Sequence, residues 1–219
     1  MATASILSRN YKVTIVARNL PGDEPTIEWG SPWAGASFIA GGCLSRREEK
    51  MQLDAFAELW RWSVAYPDSS VKQITIDDFH DDKTEEDIWW KDHMPEFRFR
   101  PLETFPADKS LILKPDVFLP WLRAKLAKSG VQFKRMDLKS LSDACELGHD
   151  ILVNATGFGS LKLQDVQDQD LEMIRGQTVV VKSNYDKLFM HDTGETYTYA
   201  IPRLDGTVVL GGTRQKDSV

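Results

Sequence analysis

Cysteine and histidine are scarce in this chain: Cys43, Cys145 and four histidines in 219 residues. Two cysteines without CxxC spacing exclude a disulfide scaffold and a thiolate metal cluster. His80, His93, His149 and His191 are scattered, with no metal spacing and no serine or cysteine nucleophile nearby. Hydrolytic and metal-dependent chemistry is therefore not indicated, and no metal ion is expected. Basic residues are in deficit as well, 27 Lys and Arg against 33 Asp and Glu, for a net charge of −6. That balance argues against a general nucleic-acid surface. No apolar run approaches the roughly 20 residues that cross a bilayer, and no signal peptide opens the chain, so no membrane partner is expected. A reducing, cytosolic or organellar compartment is the default for such a chain. The tail Lys216-Asp217-Ser218-Val219 is not a peroxisomal Ser-Lys-Leu signal. Internal repeats and low-complexity tracts are absent too.

What is present is an ordinary globular composition, 42% hydrophobic and 27% charged, in a length that suits one large or two small domains. Ala2 to Ser8 reads as a short helix and Tyr11 to Ala17 as a β-branched strand ending in a Leu20-Pro21-Gly22-Asp23 turn. Residues 21–42 read as an ordered loop. Arg46 to Val64 carries Met51, Phe56, Leu59, Trp60 and Val64 at helical spacing, and Val71 to Ile76 follows as a strand. The acidic run Asp77 to Asp87 lacks the alternating ligands and central glycine of a calcium loop and reads as a solvated loop. Phe97 to Arg100 alternates like a strand. Beyond Pro115, Asp116 is placed to cap a helix closed by Ser129-Gly130. Val131 to Phe133 and Asp150 to Val153 follow as strands, with Leu138 to Cys145 as a connector or short helix between them. Gln177 to Lys182, Thr196 to Ile201 and Thr207 to Leu210 complete the pattern, the last two joined by the Arg203-Leu204-Asp205-Gly206 hairpin turn. βα units mixed with an antiparallel sheet imply two intertwined domains.

Several segments carry ligand-binding character, each with a plainer reading beside it. Ala17-Arg18-Asn19 after a small-residue helix looks like the second strand of a dinucleotide-binding unit. No glycine fingerprint for a pyrophosphate accompanies it. Asn154-Ala155-Thr156-Gly157-Phe158-Gly159 lets backbone approach a ligand, or is simply a tight strand exit. Ser31-Pro32-Trp33-Ala34-Gly35-Ala36 can lie against a flat ring. Tyr197 and Tyr199 alternate on a strand, which most often means packing and otherwise a paired hydroxyl site.

Taken in order, these runs resemble the D-amino-acid oxidase family of FAD enzymes, its fungal branch above all. The matching segments are residues 13–23, 31–36, 153–157, Arg175-Gly176-Gln177-Thr178-Val179, and Tyr199-Ala200-Ile201-Pro202-Arg203 closing on Leu210-Gly211-Gly212-Thr213. The resemblance implies an α/β fold: a Rossmann-like FAD-binding domain (1–45 and 110–170) interleaved with an antiparallel substrate domain (46–109 and 171–219). It implies both domains are partial, with the family's first strand and glycine turn before Met1 and its carboxylate-binding arginine after Val219. It also implies a reaction. A D-amino acid gives its α-hydrogen as hydride to the flavin, the imino acid hydrolyses to a 2-oxo acid and ammonia, and oxygen is reduced to hydrogen peroxide. An incomplete, inactive scaffold without FAD is the alternative.

Position by position, the resemblance assigns Arg18 and Asn19 to the adenosine end of FAD. It assigns Ser31, Ala34, Gly35 and Ala36 to the flavin and pyrophosphate side, the Leu138 backbone to adenine, and Thr156 with Gly157 to the cofactor's middle. Tyr199 becomes the hydroxyl that holds the substrate carboxylate. Phe38 stands where the fungal enzymes usually have Trp. The implied partners are a D-amino acid and oxygen, the implied compartment is cytoplasm or peroxisome, and a homodimer is compatible with the family.

Overall fold

The computed structural model describes residues 1–42, 45–81, 83–99 and 108–216. In chain order its first elements are α1 (Ala2–Leu7), β1 (Thr14–Ala17), α2 (Arg46–Ala65), β2 (Lys72–His80), β3 (Asp108–Ile112), α3 (Pro115–Lys128) and β4 (Gln132–Arg135). There follow α4 (Ser142–Cys145), β5 (Ile174–Arg175), β6 (Val179–Lys182), β7 (Leu188–Asp192), β8 (Tyr197–Pro202), β9 (Thr207–Gly211) and β10 (Gln215–Lys216). The chain forms two compact units, one of Met1–Trp29, Leu119–Arg175 and Gln215–Val219, the other of Gly30–Phe118 and Gly176–Arg214. No helix among the described residues is long and apolar enough to cross a membrane.

In the first unit, β1 and β4 pair in parallel, from Thr14 opposite Gln132 to Ala17 opposite Arg135. α3 feeds β4 through Gly130, whose φ of +88° suits a residue without a side chain. The Val131 amide there returns to the Leu126 carbonyl at 3.1 Å, closing the helix. Leu122, Leu126 and Val131 are buried at this junction. Asp116 lies inside the first turn of α3 instead of capping it, because the helix opens one residue earlier at Pro115, a favoured first position. Its carboxylate meets Lys114 at 3.5 Å.

The expected strand at 150–153 is not formed. Ile151, Leu152 and Val153 belong to no strand and are 65%, 46% and 50% exposed. A strand exists through its partner, and the parallel pair β1–β4 does not extend to these residues.

The second unit is a six-stranded sheet in the order β3-β2-β7-β8-β9-β6, antiparallel except for the parallel β2–β7 pair. One face gathers Ile74, Ile76, Ile112, Leu188, Met190, Ile201 and Val209 into a buried cluster, with Tyr197 and Tyr199 packed against it. A second cluster, Phe56, Val71 and Leu111, is covered by Phe38, Leu59 and Trp60, so α2 supplies much of it. α2 itself is capped by Ser45, whose side chain accepts the Glu48 amide. Its buried residues are Phe56 and Trp62, while Met51 and Val64, expected on the inner face, are exposed.

Two further readings change here. The acidic run does not begin as a solvated loop, because β2 continues through Asp77, Asp78 and Phe79 to His80, pairing with β7 from Ile76 opposite Leu188 to His80 opposite Asp192. Asp77 is 5% exposed as a result. Phe97–Phe99 form no strand, and Arg100 lies outside the described residues, as do Cys43, Asp82 and the last three residues of the tail.

Candidate functional site

Two groups of side chains stand out, one in each unit. The first lies at the carboxyl ends of β1 and β4. Because these strands run parallel, Arg18 and Asn19 (after β1) and Leu138 (three residues past β4) leave the pair on the same side. In open α/β sheets that edge is where ligands bind. Arg18 is held on site: its Nε donates to the Asn19 Oδ1 at 2.9 Å and its Nη1 meets Glu28 at 2.6 Å. The turn that follows is fixed by Asp23, which accepts the Leu20 amide at 2.7 Å and both terminal nitrogens of Arg135 at 2.6 and 2.7 Å. The Arg135 guanidinium pulls the Asp23 carboxyl down to about 2.

The same unit holds Thr156 and Gly157. Thr156 donates its amide and hydroxyl to Asn154 Oδ1, at 3.1 and 2.8 Å, and its hydroxyl shares a 2.7 Å bond with Ser160. That turn satisfies itself. Gly157, with φ +53°, opens the next short helical turn, and a side chain there would meet nothing within 4 Å. Its backbone is therefore open to close approach.

The second group lies on the sheet of the second unit. Residues opposite one another across a sheet share a face. Register places Asp78, Met190, Tyr199 and Gly211 in one row, and His80, Asp192 and Tyr197 in the next. The Tyr197 and Tyr199 rings sit 5.6 Å apart. Gly211 and Gly212 form their floor, because a Cβ on either glycine would collide with those rings. Burial first, and Tyr197 second, push the Tyr199 phenol above its ordinary range, so it stays protonated at neutral pH and can donate to an anion. The Arg214 guanidinium lies 4.3 Å from the Tyr197 ring centre, a cation–π contact that places a permanent positive charge at the tyrosine pair.

Ser31, Ala34, Gly35 and Ala36 also belong to the second unit. Ser31 opens a short 3-10 turn, and Ala36 exchanges backbone bonds with Leu113 at 3.3 and 3.0 Å. Gly35 has a packing reason to be glycine: a Cβ there would strike Ile201 Cδ1. Its carbonyl accepts Arg203 Nε at 3.3 Å. Sequence reasoning had not found Arg214, the Gly211-Gly212 floor or the Asp23–Arg135 fork. A Gly-Gly-Thr-Arg run after a strand was the one local signal for the first two. Among the described residues no cluster of three or more His, Cys, Asp or Glu is arranged for a metal ion.

With this geometry in view, residues 1–219 match throughout the model of the family described as FAD dependent oxidoreductase. The chain belongs to that family. It is 31% identical to the D-amino-acid oxidase of Fusarium vanettenii over 97% of this chain and 67% of that protein. It is 24% identical to the D-amino-acid oxidase of Schizosaccharomyces pombe, covering 93% of this chain and 62% of the relative. It is 24% identical to the D-aspartate oxidase of Talaromyces thermophilus with the same two coverages. The chain thus spans about two thirds of the length of these relatives. Among solved structures, glycine oxidase from Bacillus cereus aligns with TM-score 0.59 at 13% identity, over 99% of this chain and 70% of that one. Glycine oxidase from Geobacillus kaustophilus gives 0.60 at 14%, over 98% and 68%. Both bear on the fold.

The residues present fit the family's cofactor in the first unit. A nucleotide end needs polar groups at the carboxyl edge of parallel strands, and Arg18, Asn19 and the Leu138 backbone are there. A cofactor's central portion needs unobstructed backbone, which Gly157 offers.

Proposed function

We propose that this chain oxidises a D-amino acid with FAD and oxygen, giving a 2-oxo acid, ammonia and hydrogen peroxide. The observation that carries the reading is the 31% identity to a D-amino-acid oxidase over nearly the whole chain. FAD, when bound, supplies the acceptor for the α-hydrogen and its electron pair. The protein's share is alignment. Arg18, Asn19 and Leu138 hold the adenosine end, and Thr156 and Gly157 admit the middle of the cofactor. Ser31, Ala34, Gly35 and Ala36 line its ring side. Tyr199, kept protonated, donates its hydroxyl to the substrate carboxylate. Arg214 adds a cation beside the tyrosine pair, suited to a carboxylate. The D-aspartate oxidase among the relatives makes an acidic D-amino acid a natural competitor of a neutral one. We assign the activity to the cytoplasm or the peroxisome, residues 1–45 and 110–170 to the cofactor, and residues 46–109 and 171–219 to the substrate.

Exposure of Ile151–Val153 supports a second reading, a family scaffold that carries no FAD. One experiment separates them. The purified chain, incubated with FAD and freed of excess, should keep flavin absorbance that bleaches anaerobically on adding D-alanine or D-aspartate and not their L-forms. A colourless protein refutes the oxidase reading. Bleaching by L-forms would refute the substrate class.

A further inference from the structure

Arg135, the last residue of β4, touches none of the groups expected to meet the cofactor by side chain, yet it organises the loop that carries them. Its guanidinium fork grips Asp23 through two bonds of 2.6 and 2.7 Å, and the same Nη1 donates to the Arg18 carbonyl at 3.0 Å. Arg123 of α3 donates to the Pro21 carbonyl at 2.7 Å, and Leu20 and Pro21 are buried beneath. The loop from Arg18 to Asp23 is therefore tied at its first residue, at Pro21 and at its last. Arg18 does not set this shape itself, since Glu28 and Asn19 occupy its guanidinium.

We propose that Arg135 is a positioning residue for the adenosine half of FAD, acting through the Arg18–Asp23 loop. This rests on the cofactor reading above. Planar, bidentate geometry matters here: a lysine at 135 supplies charge without the fork. Arg135 is more than half exposed, and an exposed ion pair contributes little to global stability. Its loss should loosen the loop without loosening the fold. That separates positioning from simple support.

The test uses the full chain with two probes, FAD and FMN, the second of which lacks the adenosine half. Arg135→Ala should weaken FAD binding by about tenfold, as removal of a supporting hydrogen-bond layer does. FMN affinity should stay within about twofold, because FMN makes no contact with the loop in this scheme. Arg135→Lys should fall between parent and alanine variant. Without any flavin, amides of residues 18–23 should exchange faster in Arg135→Ala while the melting temperature holds. Equal FAD affinity in parent and variant overturns the proposal alone. Parallel loss of FAD and FMN, or a melt that falls with them, overturns it in favour of a structural role. A parent chain that binds no FAD overturns both this proposal and the cofactor reading.

Discussion

Gly211→Ala sets two effects against each other. Gly211 ends β9, and its φ lies outside the left-handed region, so alanine suits its backbone. On that ground alone the substitution would stabilise the chain by about 0.4–1 kcal/mol, through a less disordered unfolded state. Sterics oppose it. An added Cβ collides with Tyr199 Cζ and Oη and lies 2.8 Å from its Cε1. The ring cannot simply swing away, because Tyr197 is packed 5.6 Å from it and both lie against the buried sheet cluster. Overpacking of this kind costs about 1–3 kcal/mol, so the net expectation is destabilisation by up to about 2.5 kcal/mol. For a chain of this length that is a melting temperature lowered by up to roughly 10 °C.

The assay is a thermal melt of four proteins: parent, Gly211→Ala, Tyr199→Ala and the double variant. If the collision is with the Tyr199 ring, removing the ring relieves it, and the cycle shows a coupling of at least about 1 kcal/mol. Gly30→Ala is the control: no atom lies within 4 Å of its added Cβ and its φ is −66°, so it should be neutral or slightly stabilising. A Gly211→Ala variant as stable as Gly30→Ala would refute the seating of the tyrosines on this floor. So would strict additivity in the cycle.

Other outcomes follow from the same geometry. Tyr199→Phe should raise KM by about tenfold and leave kcat nearly unchanged, since the carboxylate is held alike in ground and transition states. A kcat collapse at constant KM would give Tyr199 a different role. Asp205, hydrogen-bonded to Lys114 and Thr207, has its carboxyl lowered to about 2. Its folded pKa is depressed, so its stabilisation is full above the unfolded value near 4 and fades as pH falls toward 2. Asp205→Asn should therefore flatten the acid limb of the stability curve, by no more than about 1 kcal/mol for a partly screened pair; an unchanged limb refutes it. Ser110→Ala should cost about 1–3 kcal/mol by urea titration, since the buried Ser110 hydroxyl donates to the Phe38 carbonyl at 2.5 Å. A cost below about 0.5 kcal/mol would mean that the carbonyl finds another donor.

The elements legible in the sequence were those whose pattern is local. α2 announces itself by spacing, α3 by spacing and its closing Ser129-Gly130, and β8 and β9 by β-branched residues around an Asp-Gly turn. The period of two in Tyr197-Thr198-Tyr199 placed both tyrosines on one face, and both stand there. What failed depended on partners distant in sequence. Asp77-Asp78-Phe79-His80 is too acidic to read as a strand, and only pairing with β7, about 110 residues later, draws it into the sheet. Ile151-Leu152-Val153 has strand composition and no strand, for the opposite reason. Propensity proposes, and pairing decides.

The same distinction separates the parts of the candidate site. The position of Arg18 and Asn19 just past a strand end could be read, and strand ends in parallel sheets are where ligands gather. Gly35 looked equally suited to a flat ring, but its missing side chain is already required by Ile201, so glycine there would persist whether or not a flavin were bound. Gly157 has a backbone reason to be glycine, its φ of +53°, but no packing reason, since among the described residues nothing lies within 4 Å of an added Cβ. Of the two glycines, Gly157 is therefore the one at which added bulk tests the proposed cofactor contact. Replacing it by alanine strains a backbone at φ +53° even in the absence of flavin, whereas bulk larger than alanine intrudes only on what binds there. Comparing Gly157→Ala with Gly157→Leu separates the two: equal melting temperatures with a further loss of FAD affinity in the leucine variant mark a ligand-facing position. Equal FAD affinity in both would show that the open space beside Gly157 faces solvent alone.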